Sequence, residues 1–292
     1  MSQQQFKLVE CPRDAMQGLH DFVPTELKIT YLNLLLQVGF DTLDFGSFVS
    51  PKAIPQMADT TEVLANLNLS NTSTKLLAIV ANLKGVEQAI KRTDITYLGF
   101  PFSISETFQQ RNTNSSISQS LNTIDEMLAL CDKNNKIAVV YLSMGFGNPY
   151  GDEWNAEIVE KWADVLASKG VKILSVADTV GVSTPEKIKD ILPKLISTFS
   201  KTEIGIHLHS TPADRFEKIK AAYHSGVKRI DGALKGFGGC PMAADDLTGN
   251  IATEDLISYL NAKGENLNLN MDKWDEAIAL SGKIFGKIHL FS

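Results

Sequence analysis

Apolar residues along this chain gather in short runs rich in valine, isoleucine and leucine. Each run is followed by a longer stretch whose apolar positions recur every three or four residues. The first pattern suits a buried strand and the second an amphipathic helix. Strands are predicted at residues 6–11, 41–45, 75–80, 95–99, 136–142, 172–177, 203–209 and 229–233. Helices are predicted at 25–37, 117–131, 156–169, 185–197 and 213–225, with polar loops at 66–73 and 112–118. Thr184 before Pro185 offers one N-cap, and Thr253 before Glu254 and Asp255 marks a second helix start.

Strands alternating with helices imply a parallel sheet, because a parallel pair needs a crossover of helix length. Eight repeats favour closure into a (β/α)8 TIM barrel over an open doubly wound sheet, and no Gly-x-Gly-x-x-Gly follows the first strand. The chain's 292 residues suit one such barrel with additions. No linker or low-complexity stretch divides it. Residues 1–292 therefore read as a single α/β domain in which 254–292 supply the terminal barrel helix and an added helical tail at 273–284.

In a barrel of this kind the chemistry sits at the C-terminal ends of the strands. The unusual polar residues collect there: Arg13 and Asp14 after strand one, Asp44 and Ser47 on strand two, Asp178 after strand six, His207 and His209 on strand seven, and Cys240 and Asn250 after strand eight. His207 and His209 are two apart on one strand and share a face. Two imidazoles suit a divalent metal, with a carboxylate from Asp14 and an amide oxygen from Asn250. Such a mixed shell fits a catalytic Mg²⁺, Mn²⁺ or Zn²⁺ better than a closed structural zinc site. A lone His-x-His is a weak motif; the convergence of distant residues on one mouth is the stronger signal. Arg13 beside Asp14 reads either as a surface ion pair of little worth or as a fixed cation facing charge that develops on a substrate oxygen. Asp178 reads either as a cap or as part of the site. Cys240, in a glycine-rich loop, is either an idle thiol or one carried by a mobile lid. Cys131, Trp154, Trp162 and Trp274 read as packing.

Charge and cysteine content narrow the partners. A formal net charge of -6 and a pI near 5.4 speak against a general nucleic-acid binder, though a small phosphorylated ligand needs only a few local cations. No apolar run reaches the ~18 residues of a membrane span, and the polar start lacks the layout of a signal peptide. Three cysteines, an odd and sparse set, speak against a disulfide framework, and a reducing cytoplasm is the expected location.

At these residues the sequence resembles the HMG-CoA lyases, within the wider group of metal-dependent barrels that holds isopropylmalate and homocitrate synthases. The matching stretches are Pro12-Arg13-Asp14 with Gln17, Ser47-Phe48-Val49-Ser50-Pro51-Lys52, Asn82-Leu83-Lys84-Gly85, Asp178-Thr179-Val180-Gly181, His207-Leu208-His209, Gly238-Gly239-Cys240-Pro241, and Gly249-Asn250-Ile251-Ala252-Thr253-Glu254-Asp255. The resemblance implies cleavage of 3-hydroxy-3-methylglutaryl-CoA to acetyl-CoA and acetoacetate, with a divalent metal and no organic cofactor. It implies that Asp14, His207, His209 and Asn250 hold the metal and that Arg13, Asp14, His207 and Cys240 carry the chemistry. Gln17, Ser47, Asn82, Lys84 and Arg111 would contact substrate or CoA, and Asp44, Asp178 and Glu254 would support the site. An acyl-CoA is the expected partner, and a homodimer or higher homo-oligomer the expected assembly.

The sequence departs from the lyase pattern at several points. Asp44 stands where glutamate is usual, Ser210 where aspartate follows the second histidine, and Asn148 where cysteine is common; Gly18-Leu19-His20 replaces Asn-Glu-Lys, and Glu10 precedes Arg13 by three steps rather than four. Two other readings stay open here. One is a Claisen-type synthase or a lyase for another acyl group, although such synthases carry a long C-terminal region. The other is a catalytically silent ligand-binding barrel, which need not keep Arg13, Asp14, His207, His209 and Cys240 together.

Overall fold

The computed structural model describes residues 5–238 and 248–286. Eight parallel strands form a closed barrel. They are β1 (Lys7–Glu10), β2 (Thr42–Ser47), β3 (Lys75–Ile79), β4 (Ile95–Ser103), β5 (Ile137–Ser143), β6 (Ile173–Ala177), β7 (Glu203–His207) and β8 (Arg229–Gly232). Each pairs with its neighbour in sequence order, and β8 closes on β1 with Lys7 opposite Arg229 and Glu10 opposite Gly232.

Alternation along the strands sorts side chains to two faces. Leu76, Ala78, Leu98, Phe100, Val140 and Leu142 face the helices and join one large apolar core. Leu77, Ile79, Tyr97, Val139, Tyr141 and Ile173 form a separate cluster inside the barrel. Gly99 makes that interior possible, because a Cβ there would stand 2.5 Å from Ile79 and 3.2 Å from both Leu77 and Tyr141. The interior is two-sided. β3 to β5 fill it with apolar side chains, whereas the same alternation on β2 and β8 turns Thr42, Asp44, Arg229 and Asp231 inward, all buried. Buried charge needs partners, and that polar half carries the site.

Helix starts follow their caps. Ser116 and Gln119 form a capping box for Ile117–Lys133, and Thr184 accepts from the Lys187 amide ahead of Pro185. Thr253 caps nothing: it is the first residue of Thr253–Ala262, and its hydroxyl donates to Glu10 instead. The tail helix Met271–Phe285 lies on Thr25–Val38, with Phe285 edge-on to Tyr31 and Trp274 edge-on to Phe40.

Among the described residues four short helices were not foreseen: Pro12–Gln17, Thr60–Ala65, Leu83–Ala89 and Glu106–Thr113, the last overlapping an expected loop. The seventh strand also stops two residues early. It ends at His207, and His209–Ser210 pairs antiparallel with Gly249–Asn250, so that Asn250 lies opposite His209. Among the described residues no helix is long and apolar enough to cross a membrane.

Candidate active site

The helix Pro12–Gln17 begins one residue after β1. Its first turn therefore stands over the barrel mouth and turns both Arg13 and Asp14 into the cavity there, where both are buried. The surface-ion-pair reading of Arg13 is thereby corrected. Arg13 Nε is shared between the two oxygens of Asp44, at 3.2 Å to Oδ1 and 3.0 Å to Oδ2; Nη2 donates to the same Oδ2 at 2.5 Å, and Nη1 donates to Asp14 and to Gln17, both at 2.9 Å. Among the described residues four of the five guanidinium N–H groups are engaged, and one on Nη2 remains. The shorter arm of Asp44 still reaches Arg13 on both oxygens. Burial pushes the Asp44 carboxyl up to about 6, against the pull of Arg13, so it stays ionised at neutral pH.

Asp14, His207 and His209 each bring a ligand atom to one place, with all three atoms within 4.8 Å of one another. His207 Nε2 and His209 Nε2 face each other at 3.2 Å. Two neutral imidazole nitrogens at that distance repel unless a proton or a metal cation lies between them. Burial works to raise Asp14, but Arg13 and the two imidazoles outweigh it and hold the carboxyl at about 2. Burial and the neighbouring His207 lower His209 to about 4, which leaves it neutral and able to ligate. Asn250 reaches the cluster through the short antiparallel pair. Its Nδ2 donates to Asp14 at 2.8 Å, while its buried Oδ1 has no partner among the described residues. An anionic oxygen, two imidazoles and an orphaned amide oxygen fit a hard or borderline divalent cation.

Sequence reasoning missed Asp231. It lies in the middle of β8, and its Oδ2 sits 3.2 Å from His207 Nδ1. Burial depresses His207, but the bond to Asp231 and its charge outweigh that and raise it. Carboxylates of this kind fix the tautomer of metal-binding histidines. The signal was present as two charges flanking an apolar residue, Arg229-Ile230-Asp231, on a strand whose outward face is buried.

The other expected site residues divide. Gln17 and Asp44 line the cavity with Arg13, Asp14, His207 and His209. Ser47, Asn82, Lys84, Arg111, Asp178, Glu254 and Asn250 do not. The Ser47 hydroxyl is taken up by the backbone at Val49 and Ile79. Asn82 caps Leu83–Ala89 by accepting from Gly85, because the unforeseen helix starts there. Lys84 is exposed, and Arg111 lies over the Tyr150 ring at 4.8 Å, its helix having turned Asn112 to the cavity. Asp178 is buried and accepts from Val182, Ser183 and Lys218, fastening the loop after β6. Glu254 accepts from the Lys235 amide at 2.9 Å. Cys240 lies outside the described residues, but the stem leading to it is described. Lys235, Gly236 and Gly238 have φ of 60°, +69° and +97°, and a Cβ on Gly238 would stand 2.7 Å from Asn250 Nδ2 and 2.8 Å from the Asp14 carbonyl.

A closed (β/α)8 barrel with a carboxylate–histidine cluster and a charged donor at its mouth defines a metal-dependent barrel enzyme. The HMGL-like family model matches residues 6–280, and the chain belongs to that family. Cytoplasmic 3-hydroxy-3-methylglutaryl-CoA lyase of Rattus norvegicus is 34% identical over 274 residues, covering 93% of this chain and 78% of that protein. The solved HMG-CoA lyase of Bacillus subtilis is similar with a TM-score of 0.90 at 30% identity, covering 97% of this chain and 94% of that one. The HMG-CoA lyase of Acinetobacter baumannii, solved with coenzyme A and 3-methylmalate, is similar with a TM-score of 0.89 at 29% identity, covering 97% and 92%.

Proposed function

We propose that this chain is a carbon–carbon lyase that cleaves 3-hydroxy-3-methylglutaryl-CoA to acetyl-CoA and acetoacetate with the aid of a divalent metal. The observation that carries the reading is Arg13, a permanent cation with an unspent N–H, set beside the Asp14–His207–His209 cluster. Relatives at about one-third identity bear this activity in their names, and a solved neighbour holds coenzyme A.

Asp14, His207, His209 and Asn250 would hold Mg²⁺ or Mn²⁺, with Zn²⁺ also compatible with the donor set. Such a cation, when bound, polarises the substrate hydroxyl and lowers its pKa. Arg13 directs its remaining N–H at the thioester oxygen, where the enolate charge appears, and the guanidinium keeps that charge at every accessible pH. Asp231 raises the proton affinity of His207, whereas Arg13 lowers that of Asp14. With its Nδ1–H held by Asp231, His207 is therefore a strongly donating ligand through Nε2, and Asp14 a ligand that stays anionic. The thioester is itself the electron sink, so no organic cofactor takes part. We assign Cys240 to the loop that closes over the substrate, on the stem that Glu254 fastens. Asn82, Lys84 and Arg111 follow β3 and β4 outside the acyl cavity, on the route a CoA chain takes to solvent. We take the protein to be cytoplasmic, as the Rattus norvegicus relative is by name.

The test is product analysis of metal-stripped protein with HMG-CoA, before and after addition of Mg²⁺ or Mn²⁺. Acetyl-CoA and acetoacetate should form in equal amounts and only with metal. Cleavage that ignores the metal, or no cleavage of HMG-CoA, would overturn the reading.

A further inference from the structure

A second group of metal-capable side chains adjoins the first. Cys11, His207 and Asp231 each offer a ligand atom, and these atoms lie within 4.8 Å of one another. They come from three neighbouring strands: His207 ends β7, Asp231 lies opposite it on β8, and Cys11 follows β1, its amide donating to Gly232 at 2.9 Å. Cys11 is a free thiol, and among the described residues its one hydrogen bond, to the Val9 carbonyl, is 3.9 Å long. Asp231 is 1% exposed; Oδ2 is bonded to His207, and Oδ1 is buried without a partner among the described residues. Leaving a carboxylate oxygen dry and unpaired is costly, and a bound cation would remove that cost. Sulfur, nitrogen and oxygen donors in one place favour a thiophilic ion such as Zn²⁺ or Cd²⁺ over Mg²⁺.

We propose that Cys11, His207 and Asp231 form a site for a thiophilic divalent cation, and that filling it withdraws His207 from the catalytic metal and so inhibits the enzyme. The exclusion follows from the imidazole. A neutral ring has one bare nitrogen and one N–H. Ligation through Nδ1 places the hydrogen on Nε2, the nitrogen that faces His209. Ligation through Nε2 leaves the hydrogen on Nδ1, where Asp231 accepts it. Asp231 thus either orients His207 for the catalytic metal or becomes a ligand itself. Binding turns the Cys11 thiol into a metal thiolate, and its proton leaves to solvent. The site itself is independent of the lyase reading; the inhibition rests on it.

The experiment adds Cd²⁺ to protein kept in Mg²⁺, and follows ultraviolet thiolate-to-cadmium absorption together with HMG-CoA cleavage. Absorption should rise and turnover fall with one midpoint. Cys11→Ala should abolish the absorption, retain Mg²⁺-supported turnover, and need at least about tenfold more Cd²⁺ for inhibition, the scale of losing a group that supports a metal. Cys131→Ala and Cys240→Ala should keep the absorption. Absorption that survives in Cys11→Ala, or disappears in Cys240→Ala, overturns the site. Absorption lost in Cys11→Ala with inhibition unchanged overturns the competition for His207. Should the protein cleave nothing, the absorption still reports the site alone. Should Cys11→Ala not fold, cadmium NMR of the Cys131→Ala/Cys240→Ala protein decides: a strongly downfield thiolate shift is expected, and the shift of an all-nitrogen-and-oxygen shell overturns the proposal.

Discussion

Arg13 concentrates the chemical argument in one side chain. Asp44 holds its edge, Asp14 and Gln17 hold Nη1, and the remaining N–H is oriented without freedom to turn. Its interaction should strengthen as the enolate forms, so its loss should lower kcat more than it raises KM. Arg13→Met is expected to reduce kcat by roughly 10²–10³, the cost of one oxyanion-type donor. Asp44 loses its counter-charge in this variant, but a carboxyl already pushed up to about 6 by burial can take a proton instead. Arg13→Lys should rescue poorly, because the fork that spans Asp44 and Asp14 is gone. Steady-state kinetics with metal content measured in parallel check this; near-normal kcat with a raised KM would mean that Arg13 only binds. The motif residues Arg13, Asp14, His207, His209 and Asn250 were legible because they follow or end strands, where a barrel places its chemistry. Asp231 was not, because it sits within a strand. Only the inward alternation of Arg229 and Asp231 marks it, and that alternation has meaning once the barrel is known to be closed.

At the scale of elements, the loop stem links the thiol-bearing segment to the metal cluster. Glu10 accepts from the Leu234 amide and Glu254 from the Lys235 amide, so two carboxylates from different elements clamp consecutive residues. Gly238 then passes over Asp14 and Asn250 with φ of +97°, where a side chain is strained and a Cβ meets backbone at 2.8 Å. Gly238→Ala should therefore displace Asn250 and the Asp14 turn, weakening Mn²⁺ binding and turnover together while the barrel stays folded. Mn²⁺ titration beside circular dichroism tests it, and unchanged affinity would show that the stem moves independently of the cluster. The strands were legible to within a few residues because burial on both faces writes long apolar runs. The helix Glu106–Thr113 was not, since its sequence is almost wholly polar and only Phe108 and Gln109 are buried. His209 was assigned to the seventh strand because strand periodicity continues through it. What ends the strand is the returning Gly249–Asn250, forty residues away in sequence, a pairing no local pattern announces.

The closing seam of the barrel sets a property of the whole molecule. Glu10 ends β1 where it meets β8, fully buried, with one oxygen accepting from Leu234 and the other 2.5 Å from the Thr253 hydroxyl. Burial drives its carboxyl from 4.5 up to about 8, and the two hydrogen bonds offset only part of that. The native pKa lies above the unfolded one, so between pH 4.5 and 8 the folded protein keeps a proton that the unfolded chain releases. The stability Glu10 contributes is complete below 4.5 and declines as pH rises toward 8. At about 1.4 kcal/mol per pKa unit the loss is of order 4–5 kcal/mol, a large part of the roughly 5–15 kcal/mol that a folded domain retains. Other groups titrate across the same range, so the wild-type curve alone does not isolate Glu10. Glu10→Gln does: its amide oxygen still accepts from Leu234, its amide nitrogen can donate to Thr253, and it carries no titrating proton. Denaturant unfolding of both proteins across this range should show the variant gaining on the wild type as pH rises and overtaking it toward pH 8. A stability difference that stays flat with pH would mean that Glu10 is ionised throughout, its charge held by the Leu234 and Thr253 donors at the seam.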